Sequence, residues 1–295
     1  MDGIINVLKP PGMTSFDVVA YLRGLFREKK IGHTGTLDPG AVGVLPVCIG
    51  KATKTIEYLT DKDKKYRAEL TLGITTDTQD NYGNVLKVCE VNLSHEQINN
   101  AIKGFVGSYG QVPPMYSAIK VEGKKLYELA RNGITVEREP RKVNIHSIDI
   151  IEIKDNKAIF DVECSKGTYI RTLCADIGDR LGCGGHMSFL VRTKAGCFEL
   201  SNSLTLEEIF EFSKNNLIND KLLSIEGIFE ELNRIDLNAA ETKKAINGAY
   251  VELMNTNLRK GSMLRVYDVS KSFIGLGEIS LIKGSLLLKI KKQFG

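Results

Sequence analysis

Strand-like runs in this chain follow one another in adjacent pairs instead of alternating with helices, and that order limits the sheet it can build. Gly3 to Leu8, Val42 to Ile49, Tyr66 to Leu72, Arg141 to Ile153 and Ala158 to Cys164 are apolar or alternate apolar with polar residues, and Asp155-Asn156-Lys157 is placed to turn the last two into a hairpin. A parallel, doubly wound sheet needs a helical crossover between successive strands. The expected class is therefore α+β, with a mixed, largely antiparallel sheet. Val85 to Val91 is expected to pair with Tyr66 to Leu72 across the polar loop around Asp77 and Asp80. Helices are predicted where apolar residues recur at helical spacing. These are Val18, Val19, Leu22, Leu25 and Phe26 behind a Ser15 cap, Ile98, Ala101, Ile102 and Phe105 behind a Ser94 and Gln97 capping box, and Tyr169 to Leu181 ended by Gly182.

At 295 residues the chain exceeds an average domain. Its charge is unevenly spread: residues 201–232 carry two basic and seven acidic groups, whereas residues 233–295 carry eleven basic and five acidic ones. The expected division is thus a larger unit over 1–232 and a small basic one over 233–295. The tail holds one short helix near Ala239 to Asn247 and strand-like pieces at Met263 to Tyr267, Phe273 to Ile279 and Leu286 to Ile290, which suits a small β-barrel. Such a basic module behind an acidic connector fits a phosphate-binding patch. The longest apolar stretch, Ala41 to Ile49, is interrupted by Pro46 and far short of the roughly 20 residues a membrane span needs. No export signal is visible, and six cysteines without a C-x-x-C pair suggest reduced thiols in a cytoplasmic protein.

Chemistry concentrates in Gly32-His33-Thr34-Gly35-Thr36-Leu37-Asp38-Pro39-Gly40. Glycines let the backbone approach a ligand, and Pro39 restricts the residue before it. Taken alone, Asp-Pro-Gly is most often a plain turn. The stretch lacks the Lys-Ser or Lys-Thr ending of a phosphate-cradling P-loop. Cys183-Gly-Gly-His186 offers two possible metal ligands, and two do not make a site.

The order of motifs adds a second line of reasoning. Lys9-Pro10 with Gly12-Met13-Thr14-Ser15, the Asp38 stretch with Gly43 to Pro46, Lys64-Lys65-Tyr66-Arg67, Gly73 with Thr76-Asp77-Thr78 and Asp80, and Ser165-Lys166-Gly167-Thr168-Tyr169-Ile170-Arg171 follow one another. That series resembles the tRNA pseudouridine synthase B family over roughly the first 200 residues, and runs on to Gly185-His186 and Arg192-Thr193. Val42 departs from the family pattern, which usually has a smaller polar residue there. The tail resembles the RNA-binding module called PUA only loosely.

The resemblance implies isomerisation of the T-loop uridine of tRNA to pseudouridine, with no cofactor and no metal. It implies Asp38 as nucleophile, Arg171 as its ion-pair partner and Tyr66 as the ring that stacks on the target base. It also implies that His33 fills the space left by flipped bases, with Tyr169 and Leu190 in the pocket wall. Lys9, Lys54, Asp77 and Asp80 lie in matched motifs and are candidates for substrate contact or for support. Residues 121–142, with Lys124, Lys125, Arg131, Arg138, Arg141 and Lys142, coincide with an insertion that pinches the T-arm. Phosphate contacts there would position RNA without reading its sequence. The implied partner is tRNA, with the enzyme a monomer that needs no obligate protein partner. Carboxylate suits the role because, with a reference pKa of about 3.9, it is ionised at neutral pH without a separate base. A non-catalytic protein that binds or folds tRNA on the same scaffold is the alternative. A glycosidase is disfavoured, because no recognisable motif pairs a second carboxylate with Asp38.

Overall fold

Residues of Lys157–Cys164 are buried and open in turn, as a half-buried strand requires, and this strand lies inside a nine-stranded sheet. The structure is a computed structural model that describes residues 1–121, 123–253, 258–282 and 284–294. The expected insertion over 121–142 and the expected tail unit over 233–295 each include residues outside those ranges.

The large sheet runs Gly3–Lys9, Val42–Ile49, Gly185–Ala195, Lys64–Leu72, Lys157–Cys164, Arg141–Lys154, Gly107–Gln111, with Ile31–His33 and Phe198–Glu199 attached at the side. Its pairings are antiparallel except one: Gly185–Ala195 lies parallel to Val42–Ile49, pairing Val191 with Val42 and Arg192 with Gly43. The α+β class and the mixed, largely antiparallel sheet are as expected. The 141–164 hairpin forms too, with Asp155 in the left-handed region at φ 52°.

Two local expectations are corrected. Val85–Val88 pairs with Ile74–Thr76 in a short hairpin of its own, because both edges of Lys64–Leu72 are already occupied by Lys157–Cys164 and Gly185–Ala195. The helix Ser15–Phe26 is capped by Thr14, whose hydroxyl accepts from the Asp17 amide while the Asp17 carboxylate accepts from the Thr14 amide. Ser15 points the other way and is buried. The predicted helix after Ser94 forms as His95–Lys103, capped as read.

One apolar cluster joins Ala68, Leu70 and Leu72 of the central strand to Ile98 and Ile102 of the helix His95–Lys103 and to Leu173 and Ile177 of the helix Ile170–Arg180. Another joins Val18, Val19 and Leu22 to Ile5, Val7, Leu45 and Val47. The strands carrying the site are therefore anchored on both flanks. In the tail, Arg234–Asp236, Met263–Tyr267, Phe273–Ile282, Ser285–Gln293 and Val251–Glu252 form a five-stranded sheet curled into a half-barrel, with the helix Ala239–Ile246 beside it. Phe273 and Phe294 of the tail stack at 5.7 Å between ring centroids, and Phe294 meets Phe229 at 6.5 Å in a cluster that also holds Ile4, Val44 and Ala52. No helix of the described residues is long and apolar enough to cross a membrane.

Candidate active site

The loop that carries Asp38 leaves the short strand Ile31–His33 and returns as Val42–Ile49, next to the parallel seam of the sheet. Glycine and proline give it little internal regularity, and side chains from outside hold it. Buried Ser15 accepts from the Leu37 amide at 2.8 Å and donates back to the Leu37 carbonyl at 3.2 Å. Lys9, 0% exposed, donates to the carbonyls of Pro39 (3.1 Å), Pro10 (2.8 Å) and Met13 (2.6 Å). Arg192, 2% exposed, donates to the carbonyls of Gly35 (3.1 Å), Thr36 (3.5 Å) and Val44 (2.7 Å). Backbone on both sides of Asp38 is thus fixed by cations that bond carbonyls, and no carboxylate of the described residues lies at ion-pair distance from either of them. Burial lowers the Lys9 amine to about 8, with Asp38 opposing that shift.

Arg171 occupies the first turn of Ile170–Arg180 and is 5% exposed. Its Nε lies 2.9 Å from Asp38 Oδ2 and its Nη2 lies 3.3 Å from Oδ1, a two-pronged ion pair. The remaining donors reach the Thr78 carbonyl at 3.1 Å and the Tyr116 carbonyl at 2.9 Å, and Asp80 stands 3.7 Å away. Asp38 itself is 38% open at its side chain whereas Arg171 is 6% open, so the carboxylate faces outward from a buried cationic base. Asp80 is held in turn by the Thr78 hydroxyl (2.6 Å) and the Tyr82 amide (3.0 Å). Asp77 closes the same turn through Asn84 and does not reach Arg171. Gln79, between them, takes the left-handed conformation at φ 62° and accepts from Thr172 at 2.8 Å. Strained backbone of this kind persists where surroundings over-determine it.

Tyr66 lies near the start of its strand and packs half-buried against the cluster that contains Leu37 and Leu190. Burial pushes its phenol up, and the Arg192 guanidinium beside it opposes the shift, so the ring is a neutral phenol at physiological pH. His33 is half-buried, its Nδ1 accepts from the Gly35 amide at 3.3 Å, and burial and then Arg192 lower its pKa. Its ring is accordingly uncharged at neutral pH. Tyr169 precedes the Arg171 helix, and both its amide and its carbonyl are held by one side chain, Gln111, at 2.8 and 3.1 Å. Leu190 is buried. Lys54 is not brought to this group: its amine bonds the Gln293 carbonyl at 2.7 Å, in the last strand of the tail.

Asp38, Arg171, Asp80, Tyr66, Lys9 and the His33 loop therefore meet. Three residues of the assembly have no role in the site in the sequence reading. Ser15 there is a helix cap, Gln111 carries no signal, and Arg192 is a motif match without a task. The hydroxyl pair Thr14-Ser15, with room for only one cap, is the trace that could have exposed Ser15. Among the described residues no group of three or more His, Cys, Asp or Glu could hold a metal, Cys183 and His186 included, and His186 instead meets Ile74 and Asn81.

Comparison with known proteins identifies the family of this chain. Residues 23–170 match the profile described as TruB family pseudouridylate synthase (N terminal domain), residues 171–230 that of the tRNA pseudouridylate synthase B C-terminal domain, and residues 234–284 that of Pseudouridine synthase II TruB, C-terminal. The tRNA pseudouridine synthase B of Alkaliphilus oremlandii is 50% identical over 281 residues, covering 94% of this chain and 93% of its own. That of Clostridioides difficile is 47% identical over the full length of both. Among solved structures, the crystal structure of a Cbf5-Nop10-Gar1 complex contains a chain that superimposes with a TM-score of 0.76 at 27% identity, covering 99% of this chain and 85% of that one. Sequence matches along the whole length and the shared architecture place this chain in the TruB family of pseudouridylate synthases.

Proposed function

We propose that this chain isomerises the T-loop uridine of tRNA to pseudouridine, with Asp38 as nucleophile. The observation that carries the reading is the two-pronged Asp38–Arg171 pair, 2.9 Å at its shorter contact, on a loop whose backbone is held from three sides. An ionised, partly open carboxylate fixed in direction can attack without a separate base, and fixing it beforehand removes orientational cost from the reaction step. In the overall change the C1′–N1 bond of uridine breaks, a C1′–C5 bond forms, C5 loses its proton to solvent and N1 regains one. Atoms balance without oxidant, metal or cofactor.

The base must first leave its stack, at a cost of a few kcal/mol. Stacking on an aromatic ring returns roughly 1 to 3 kcal/mol. Tyr66 supplies that ring, Leu190 and Tyr169 close the wall, and neutral His33 fills the vacated space without placing a charge in the RNA core. Asp80 keeps Arg171 in register, and Lys9 does the same for Pro39. Residues 1–232 form the catalytic unit, with the basic segment 121–142 gripping the T-arm phosphates, and residues 233–295 form a PUA-like RNA-binding unit to which Lys54 is tied.

The test uses T-arm stem-loop RNA tritiated at uracil C5. Release by the intact protein and none by Asp38→Asn is expected, with RNA binding retained. Full release by the variant removes Asp38 from the reaction. Retained binding with no release by either protein favours the alternative, an RNA-folding protein on this scaffold.

A further inference from the structure

Arg192 is among the largest fully buried side chains of the protein, and nothing in the reaction just described uses it. Burying a guanidinium is costly, and the usual compensation is a carboxylate. Here the hydrogen-bond partners are neutral, the carbonyls of Gly35 and Thr36 ahead of Asp38 and the Val44 carbonyl in the strand that follows, while Tyr66 lies opposite Arg192 in the antiparallel register. A hydrocarbon side chain would fill the volume without the desolvation cost, so packing alone does not account for a charge at this position.

The seam around it is built for close approach. Gly43, at φ +115°, pairs with Arg192 across the parallel junction, and a Cβ there would come within 2.3 Å of the Arg192 carbonyl oxygen. Only glycine lets the two strands meet so that the guanidinium lies under the Asp38 loop. Its planar fork of five donors can serve several carbonyls at once, which a lysine ammonium on a flexible stem cannot do in the same geometry.

We propose that Arg192 is a positioning residue for the isomerisation: one buried fork ties the loop ahead of Asp38 to the strand that follows it and lies opposite Tyr66, setting the nucleophile and the stacking ring relative to each other. Lys9 secures only the Pro39 side and does not link the loop to Tyr66, so it does not substitute. The charge contributes as well. Around Asp38 the buried cations Arg171, Arg192 and Lys9 outnumber the carboxylates Asp38 and Asp80, an excess that suits a uracil leaving C1′ with its bonding electrons.

This inference rests on the proposed function, so the unmodified protein is assayed first. If it releases no tritium from the labelled stem-loop, the functional reading fails and not this one. Given release, Arg192→Lys is measured in single turnover at saturating RNA, beside the RNA Kd and the urea unfolding transition. Misplacement of about 1 Å costs about a hundredfold in rate. A fall of that order, with Kd and cooperative unfolding kept, is the expected result. A rate equal to the parent's, or a loss carried wholly by Kd, overturns it. Should the variant not fold, the unmodified protein still decides. The Arg192 Nε proton, bonded to the Val44 carbonyl at 2.7 Å, is expected to be protected from solvent exchange, and rapid exchange refutes a fixed fork.

Discussion

Thr14 and Ser15 are adjacent hydroxyl residues that the fold employs for different ends, and separating them tests how the Asp38 loop is held. Thr14 is exposed and caps the helix Ser15–Phe26. Replacing an N-cap by alanine costs about 1 kcal/mol of stability. Thr14→Ala is therefore expected to lower the urea midpoint and leave the single-turnover rate at the parent value. Ser15→Ala removes the side-chain acceptor of the buried Leu37 amide, one residue before Asp38. Leaving a buried donor unmet costs about 1 to 3 kcal/mol. The loop can escape that cost by moving toward solvent, which takes Asp38 away from Arg171. If the penalty is borne where the nucleophile must be placed, the rate falls about 5- to 150-fold, since about 1.4 kcal/mol is tenfold. Both variants are assayed by tritium release from the stem-loop and by urea unfolding. A Ser15→Ala protein that reacts at the parent rate while losing the same stability as Thr14→Ala would show that Ser15 merely packs the helix, and the clamp argument would fail.

Two further outcomes depend on pH. Burial holds the Lys9 ammonium near the point of deprotonation, at about 8, and a neutral amine has too few protons for its three carbonyls. The single-turnover rate is expected to fall as pH rises through about 8, and Lys9→Met, slower throughout, should lose that alkaline limb; an unchanged limb assigns it to another group. Burial, with Asp179 adding to it, raises the Asp176 carboxyl to about 6. The folded state then keeps a proton that the unfolded chain has released, so this contribution to stability is full below about pH 4 and is lost as pH rises to about 6. Asp176→Asn is expected to be more stable than the parent at neutral pH and less pH-dependent across that window in urea unfolding, and an unchanged profile contradicts it.

Much of the sheet was legible because half-buried strands alternate and because the turn at Asp155-Asn156 is local chemistry. Val85–Val88 was misplaced because periodicity states which face a strand buries and is silent about its partner. Pairing was settled by competition: Lys64–Leu72 had both edges filled by segments about 90 and 120 residues further along. Gly185–Ala195 contributes to the only parallel junction of the large sheet among the described residues, and a parallel partner distant in sequence leaves no short-range mark. The site shows the same division. Asp38, Tyr66 and Arg171 stood out through an ordered series of motifs, whereas Ser15 was claimed by the nearest helix and Gln111 by nothing. Their tasks are contacts with backbone far along the chain, 22 residues away for Ser15 and 58 for Gln111. Beyond the spare hydroxyl of the Thr14-Ser15 pair, a side chain that serves a remote peptide group has no companion residue whose type or spacing could reveal it.

That distinction bears on how the site is kept rigid. A loop as rich in glycine as Gly32 to Gly40 has high conformational entropy to lose, and its internal turn chemistry offers little to offset it. The order is imported from three separate elements: Lys9 at the end of the first strand, Ser15 at the start of the first helix and Arg192 within the strand across the parallel seam. Each acts on a different peptide group, at Pro39, Leu37, and Gly35 with Thr36. Had the two cations been paired with carboxylates, as buried cations commonly are, their charge would have been cancelled and their donors diverted from the loop. Bonding carbonyls keeps the charge beneath Asp38 and directs the donors to placing it, so the same contacts that order the backbone also set the field in which the carboxylate works.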